Sequence, residues 1–294
     1  MNYMIITADD YGMSEAVNRG IEEGIEVGFL TSTNLMTNMP FRERAGAFRA
    51  LFPQISLGLH WNLTCGYPLS PAKSIPTLVE PDGSFHSYSS FRSLYRAGKI
   101  SADEIRTELS AQGREFVRIT GTPPDYWNTH QNAHVDFGIY FLFARIAADG
   151  AQNGVGKSVM AMRSHQRIYV APKGTDSPPP LKWRLAEPVK SSLLNRWQGK
   201  LRKQGFAAPD GRLVYMNESD QNDIQHVLAH IRWKKDNSVA EMVFHPAVAI
   251  DSKFFGKMCD NRLTEYRTVT SRENVEAMKA SDIQPVSFSH FEAQ

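Results

Sequence analysis

The sequence predicts an α/β fold, and a (β/α) barrel in preference to a doubly wound sheet. Three observations predict it. Short apolar runs alternate with segments of helical periodicity, which implies parallel strands joined by helical crossovers. The length, 294 residues, suits one such barrel. Four of the apolar runs also end in acids or histidines, and in barrels the strand ends share one face, where substrate binds.

The opening run "MIITADD" predicts a strand over Met4–Ala8 that finishes on Asp9 and Asp10. Ser14 can cap a helix whose apolar positions Val17, Ile21 and Ile25 recur at helical spacing, with Gly28 closing it. A strand is expected in "FLTSTNLMT" (29–37), a helix near 41–51, and a strand in "ISLGLHWNLT" (55–64). Helix 102–119 sets Ile105, Leu109, Phe116 and Ile119 broadly on one face and stops at Gly121. After "PPDYWNTHQNAH" (123–134) come a helix through 137–150 and a strand around "SVMAMR" (158–163). Helix 221–234 carries Ile224, Val227, Leu228 and Ile231 toward a core and leads into "SVAEMVFHP" (238–246). A last helix, from about 271 to 280, leads into "QPVSFSH". The segment 164–215 is rich in Pro, Lys and Arg and contains "GTDSPPP". It interrupts the alternation and reads as an insertion or lid on a single domain of residues 1–294.

A composition of 41% hydrophobic and 22% charged residues belongs to a soluble globular protein. The net charge of +2, with Lys and Arg scattered, leaves no electrostatic footprint for nucleic acid, so "NRWQGKLRKQG" (195–205) reads as a solvated helix face. Cys65 and Cys259 stand far apart without CxxC spacing, which indicates neither a disulfide framework nor a thiolate zinc site. The first apolar run is too short for a signal peptide, and no window approaches a membrane span. A cytoplasmic protein with no nucleic-acid or membrane partner is expected.

The chemistry-bearing ends are Asp9 with Asp10, His60, His130 with His134, and His245. Two neutral imidazoles and one carboxylate suit a divalent metal such as zinc, iron or cobalt and leave positions open for water and substrate. A second carboxylate beside that water can act as general base, and a histidine across the site can protonate a leaving group. Taken singly, each end has an ordinary reading as a turn, a helix cap or a hydrogen-bonded structural histidine. The coincidence of four ends is what points to a site. His86, His165, His226, His230 and His290 lack that setting and read as surface or packing residues. "GVGKS" (154–158) lacks the first glycine of a P-loop, since position 151 is Ala, and it precedes a strand instead of following one. Thr270 and Glu273 have capping-box spacing, which assigns Glu273 to helix initiation.

The stretches "ITADDYGMSEAVNRGI", "TSTNLM", "ISLGLHWNLT", "PTLVEPDGSF", the "THQNAH" block and "VFHP" with a later "SRENVEAM" occur in this order. Together they resemble the YdjC-like carbohydrate deacetylases, the family of chitooligosaccharide deacetylase and of hopanoid-biosynthesis deacetylases. The likeness spans most of the chain except 164–215, and the ordered set is more specific than any one motif. It implies a distorted (β/α) barrel, TIM-barrel-like in the glycoside hydrolase/deacetylase manner. The implied activity is removal of N-acetyl groups from amino sugars or short oligosaccharides with one divalent metal ion, magnesium or zinc. By motif, Asp9 resembles the catalytic base, Asp10, His60 and His130 the metal ligands, and His245 the acid. Asn62, His134 and Arg272 are candidate substrate contacts. A homodimer is also suggested by the resemblance.

The middle block departs from the family's "D-S-H-Q-H-V-H" by reading "N-T-H-Q-N-A-H", so Asn128 and Asn132 replace an Asp and a His. A carboxylate that would orient a ligand imidazole is thereby absent, and such partners matter ~10 to 100-fold in metal affinity or activity. Trp183 and Trp197 in the 164–215 segment read equally as sugar-stacking surface or as lid packing. Two alternatives stay open. One is a metal-dependent hydrolase of another bond, a phosphoester or cyclic amide, on the same face. The other is a non-catalytic sugar-binding relative, for which the two Asn replacements are the best argument.

Overall fold

The first strand, β1 (Asn2–Tyr11), runs past its apolar stretch because Asp9, Asp10 and Tyr11 are as buried as Met4–Ala8. The computed structural model describes residues 1–135, 139–173, 181–215, 217–233, 235–250 and 259–291. After β1 come α1 (Glu15–Glu26), β2 (Ser32–Leu35), a 3-10 turn over Arg42–Ala47, α2 (Phe48–Leu51) and β3 (Ser56–Trp61). Then follow α3 (Tyr88–Arg96), α4 (Ala102–Thr120), β4 (Trp127–Thr129) and α5 (Ile139–Ala148). The remainder is β5 (Arg167–Tyr169), α6 (Leu181–Lys203), β6 (Gly211–Val214), α7 (Ile224–His230), β7 (Val239–Phe244), α8 (Cys259–Val269), α9 (Arg272–Ala280) and β8 (Ile283–Val286).

The strand order is β4-β3-β2-β1-β7-β6-β5, with β8 also on β1. The registered pairs β1–β7, β1–β8, β3–β4, β5–β6 and β6–β7 are all parallel. This is the α/β fold of barrel type that the sequence predicts, distorted in that its strand order has two ends, β4 and β5.

The chain divides into two compact units. The first holds Met1–Ala8, Arg19–Ser32 and Ala161–Gln294. Here β1 pairs with β7 from Tyr3 opposite Val239 to Ala8 opposite Phe244. Met4, Ile6, Ala240, Met242 and Phe244 are fully buried. Among them lies an ion pair: Arg163 Nε reaches Glu241 Oε1 and Oε2 at 3.0 and 3.1 Å, and Thr7 Oγ1 donates to Oε1 at 2.9 Å. A buried pair of this kind holds because both charges are hydrogen-bonded. β5 and β6, both within 164–215, are strands of the sheet, and Trp197 in α6 is only 8% exposed, so it packs inward. "GTDSPPP" and the Trp183 side chain lie outside the described residues.

The second unit holds Asp9–Asn18 and Thr33–Met160. Ser14 Oγ accepts from Val17 N at 3.2 Å at the start of α1, as predicted. α4 is capped by Ser101 and ended by Gly121 at φ +71°, a left-handed conformation that glycine adopts without a Cβ penalty. β3 and β4 pair Leu59 with Trp127, His60 with Asn128 and Trp61 with Thr129. The rings of Trp61, Trp127 and Phe143 pack with centroids 5.4 Å (Trp61–Trp127) and 5.6 Å (Trp61–Phe143) apart.

Two local expectations fail. The strand expected at 158–163 is a single bridge, Ala161 to Ala207, because Val159 N donates to Ala147 O and Met162 N to Ala207 O. These donors are satisfied by different elements, so no ladder forms. The cap of α9 is Ser271, whose Oγ accepts from Asn274 N, whereas Thr270 Oγ1 donates back to Tyr266 O at 2.8 Å. No helix among the described residues is long and apolar enough to cross a membrane.

Candidate metal centre

β1 ends in a turn of the backbone that separates two neighbouring carboxylates. Asp10 has φ +75°, a left-handed conformation in which Asp is enriched among residues with a Cβ. Asp9 Oδ1 accepts from Asn34 Nδ2 at 2.6 Å and from Asn128 Nδ2 at 3.5 Å. Asp10 Oδ1 instead lies 3.2 Å from His60 Nε2 and 3.1 Å from His130 Nδ1.

His60 sits near the end of β3, opposite Asn128 on β4. Its Nδ1 and Asn128 Oδ1 are 2.6 Å apart, so the amide oxygen accepts and Nδ1 carries the hydrogen. Nε2 then holds a lone pair and faces the Asp10 carboxylate, which is an acceptor too. Two acceptors at 3.2 Å call for a cation or a proton between them. His130 follows β4 directly and opens a turn in which Gln131 and Asn132 both have positive φ, +53° and +54°. Thr64 Oγ1 donates to Gln131 Oε1 at 2.9 Å and ties this turn to the loop after β3.

The ligand atoms of Asp10, His60 and His130 all lie within 4.8 Å of one another. Asp10 and His60 are 0% and 1% exposed. Burial by itself pushes the His130 imidazole down, but the Asp10 charge and hydrogen bond, with a further one from Cys65, outweigh burial and the nearby His60, so its net shift is upward. Two imidazoles and a carboxylate, with one imidazole's tautomer fixed from behind, make a donor set that fits a divalent cation.

The structure places the other predicted site residues as follows. Asn62 is buried and shapes the loop after β3, its Oδ1 accepting from Thr64 N and Cys65 N and its Nδ2 donating to Cys65 O at 2.7 Å. His134 is fully buried, hydrogen-bonded to Thr129 Oγ1, with its ring against Trp127, Tyr140 and Phe143. Arg272 is exposed at the start of α9, in the first unit. His245 follows β7 in that same unit, with its backbone N–H donating to Glu265.

Sequence reasoning missed Asn34, whose amide holds Asp9, and Tyr126, whose hydroxyl accepts from Asn34 Nδ2 at 3.3 Å and donates to Thr33 O at 3.1 Å. The signal for Asn34 was present, as an amide inside the expected strand "FLTSTNLMT".

The family model described as YdjC-like protein matches residues 3–280. A chitooligosaccharide deacetylase of Proteus mirabilis (strain HI4320) is 28% identical over 269 residues, which is 91% of this chain and 90% of that protein. A carbohydrate deacetylase of Halalkalibacterium halodurans is 34% identical over 144 residues, 49% of this chain. That second match spans 59% of the relative's own length. The crystal structure of a candidate cellobiose-phosphate cleavage protein from Enterococcus faecalis V583 aligns over 99% of both chains with a TM-score of 0.72 at 23% identity, a likeness of fold.

Proposed function

We propose, from the premise that this chain belongs to the YdjC-like protein family, that it is a carbohydrate N-deacetylase: a hydrolase that uses a divalent metal to cut the acetyl group from the nitrogen of an amino sugar or short oligosaccharide. The observation that carries the reading is the approach of Asp10, His60 and His130 donor atoms to within 4.8 Å beside a second buried carboxylate, Asp9. The deacetylase relatives support the choice of bond.

Asp10, His60 and His130 would hold the cation. Their two nitrogens and one oxygen suit zinc, iron or cobalt better than magnesium, which prefers oxygen donors throughout. When bound, the cation supplies Lewis-acid polarisation of the acetamide carbonyl and acidifies a water molecule. Asn128 holds the Nδ1–H of His60, so its Nε2 stays available as a donor atom. Asp9, anchored by Asn34 through Oδ1, takes the proton of the attacking water. His245, as imidazolium, gives a proton to the departing amine nitrogen as the C–N bond breaks.

The test is acetate release from N-acetylglucosamine and its di- and trisaccharide by the metal-loaded protein, set beside phosphate release from an aryl phosphate. Acetate release that stops with chelator and returns with zinc is expected. Phosphate release instead, or sugar binding that persists under chelator without turnover, would reject the assignment.

A further inference from the structure

His245 and Glu265 line one cavity of about 450 Å³ in the first unit, together with Arg212, Tyr215, Asn222 and Thr264. Two contacts join the pair. The backbone N–H of His245 donates to Glu265 Oε2, and the same oxygen lies 3.7 Å from His245 Nδ1. The Glu265 side chain is 10% exposed and that of His245 is 32% exposed. One end of this arrangement is therefore a nearly buried carboxylate, and the other an imidazole open to the cavity.

Glu265 lies on α8, whose inward positions Arg262, Glu265 and Thr268 are all buried. Ala247 N donates to Arg262 O at 3.2 Å, which anchors the segment after β7 to that helix. The carboxylate is thus held from its own helix while it grips the strand end that carries His245. With Nδ1 turned to Glu265, Nε2 lies on the far side of the ring.

We propose that Glu265 is the positioning residue of His245. It fixes the imidazole through the strand-end backbone and places a counter-charge at Nδ1, so that Nε2–H is the proton donor offered to the cavity. The inference rests on the reading of His245 as the acid of an amide hydrolysis. In that step the proton moves from Nε2 to the amine nitrogen as the C–N bond breaks, and neutral imidazole remains. Among the described residues, the other charged or titratable groups around the cavity and the strand end are Arg212 and Tyr215, on and after β6, and Arg262 on α8. The Tyr215 hydroxyl is buried and has no hydrogen-bond partner among the described residues. Burial, reinforced by the Glu265 charge, pushes its phenol upward, so it stays neutral and is a donor.

The experiment follows the His245 ring resonance in full-length, histidine-labelled protein through a pH titration, for wild type and Glu265→Gln, alongside the pH profile of kcat/KM for acetate release. An opposite charge this close supports the charged imidazole by about one pH unit or more. In Glu265→Gln the His245 titration moves to lower pH by that amount, and the basic limb of kcat/KM moves with it. Glu265→Asp keeps the charge at a shorter reach and shifts both by less, and it serves if the Gln variant does not fold. An unchanged His245 titration in a folded variant overturns the proposal. A shifted titration in a protein that releases no acetate supports the pairing and removes the deacetylase reading. Normal turnover with an unmoved profile does the reverse.

Discussion

Asn128 Oδ1 accepts from His60 Nδ1 at 2.6 Å across the β3–β4 pair, while the other end of the same amide reaches Asp9 at 3.5 Å. A carboxylate at this position would supply the acceptor for His60 but not the donor for Asp9. The amide supplies both, without placing a second negative charge beside Asp9. The exchange of Asp for Asn therefore keeps the orienting contact and gives up only its charge. Asn128→Ala removes the contact, leaves the His60 ring free to turn, and is expected to weaken zinc affinity ~10 to 100-fold. Titration calorimetry reads this directly, and equal affinities for variant and wild type would show that Asn128 does not orient the ligand.

Metal binding is expected to strengthen as pH rises through the raised His130 value. The imidazole must be neutral to donate to a cation, and Asp10 favours its protonated form over the effect of burial. In the metal-free protein the sign is opposite. A raised folded-state value contributes stability that is complete below the ordinary value of 6.5 and is lost as pH climbs through the raised one. Melting curves across that window should show the metal-free protein losing stability with pH while the increment from added zinc grows. A zinc increment that shrinks with rising pH would contradict the ligand role of His130.

Much of this site was readable because its residues follow short apolar runs: Asp9 and Asp10 after "MIITA", His60 after "ISLGL". What was hidden has physical reasons. α8 escaped periodicity because, among its described buried positions, Arg262, Glu265 and Thr268 are polar and only Val269 is apolar, so no apolar stripe is traced. α3 buries only Phe91, too little to make a face. The first part of α6 contains Pro188, a residue that argues against a helix interior, so only its end, within 195–205, read as a helix. The expected strand at 158–163 has the burial of a strand, with Val159, Ala161, Met162 and Arg163 all inside, but its donors go to unrelated elements. Asn34 and Asn128 read as neutral amides in sequence, and their roles exist only through partners 25 and 68 positions away.

Gly58→Ala should loosen Asp9 from a distance. A Cβ at Gly58 would stand 2.5 Å from the Tyr126 ring, which is fully buried. The Tyr126 hydroxyl meets Asn34, and Asn34 holds Asp9. Overpacking of this kind costs about 1–3 kcal/mol. Urea unfolding should show that loss together with a fall in turnover. A variant as stable as wild type would mean that the ring shifts freely.

Arg163→Met should be more damaging than any surface change in the first unit. It leaves Glu241 charged and buried, with Thr7 Oγ1 as a neutral donor that cannot replace the guanidinium. Breaking one side of such a pair costs about 3–5 kcal/mol. The expected readout is a large fall in the urea midpoint. Arg163→Met with Glu241→Leu should recover part of it, because no charge is then stranded, and a double variant weaker than the single one would contradict this account.

Asp9 and Asp10 differ by one position and should differ in kind when changed. The positive φ at Asp10 turns its carboxylate to His60 and His130, while Asp9 stays with Asn34 and Asn128. Asn tolerates the left-handed conformation as Asp does, so Asp10→Asn should fold normally. It lacks the negative charge opposite two imidazoles, and zinc affinity should fall sharply, with turnover falling in proportion to the metal lost. Asp9→Asn preserves an oxygen for Asn34 and leaves the three ligands untouched, so zinc should bind as in wild type. Turnover should nevertheless drop ~10² to 10⁴-fold, the usual worth of a general base. Parallel measurement of bound zinc and of acetate release on both variants separates the two roles. Loss of metal from Asp9→Asn, or full activity in it, would place the base somewhere other than Asp9.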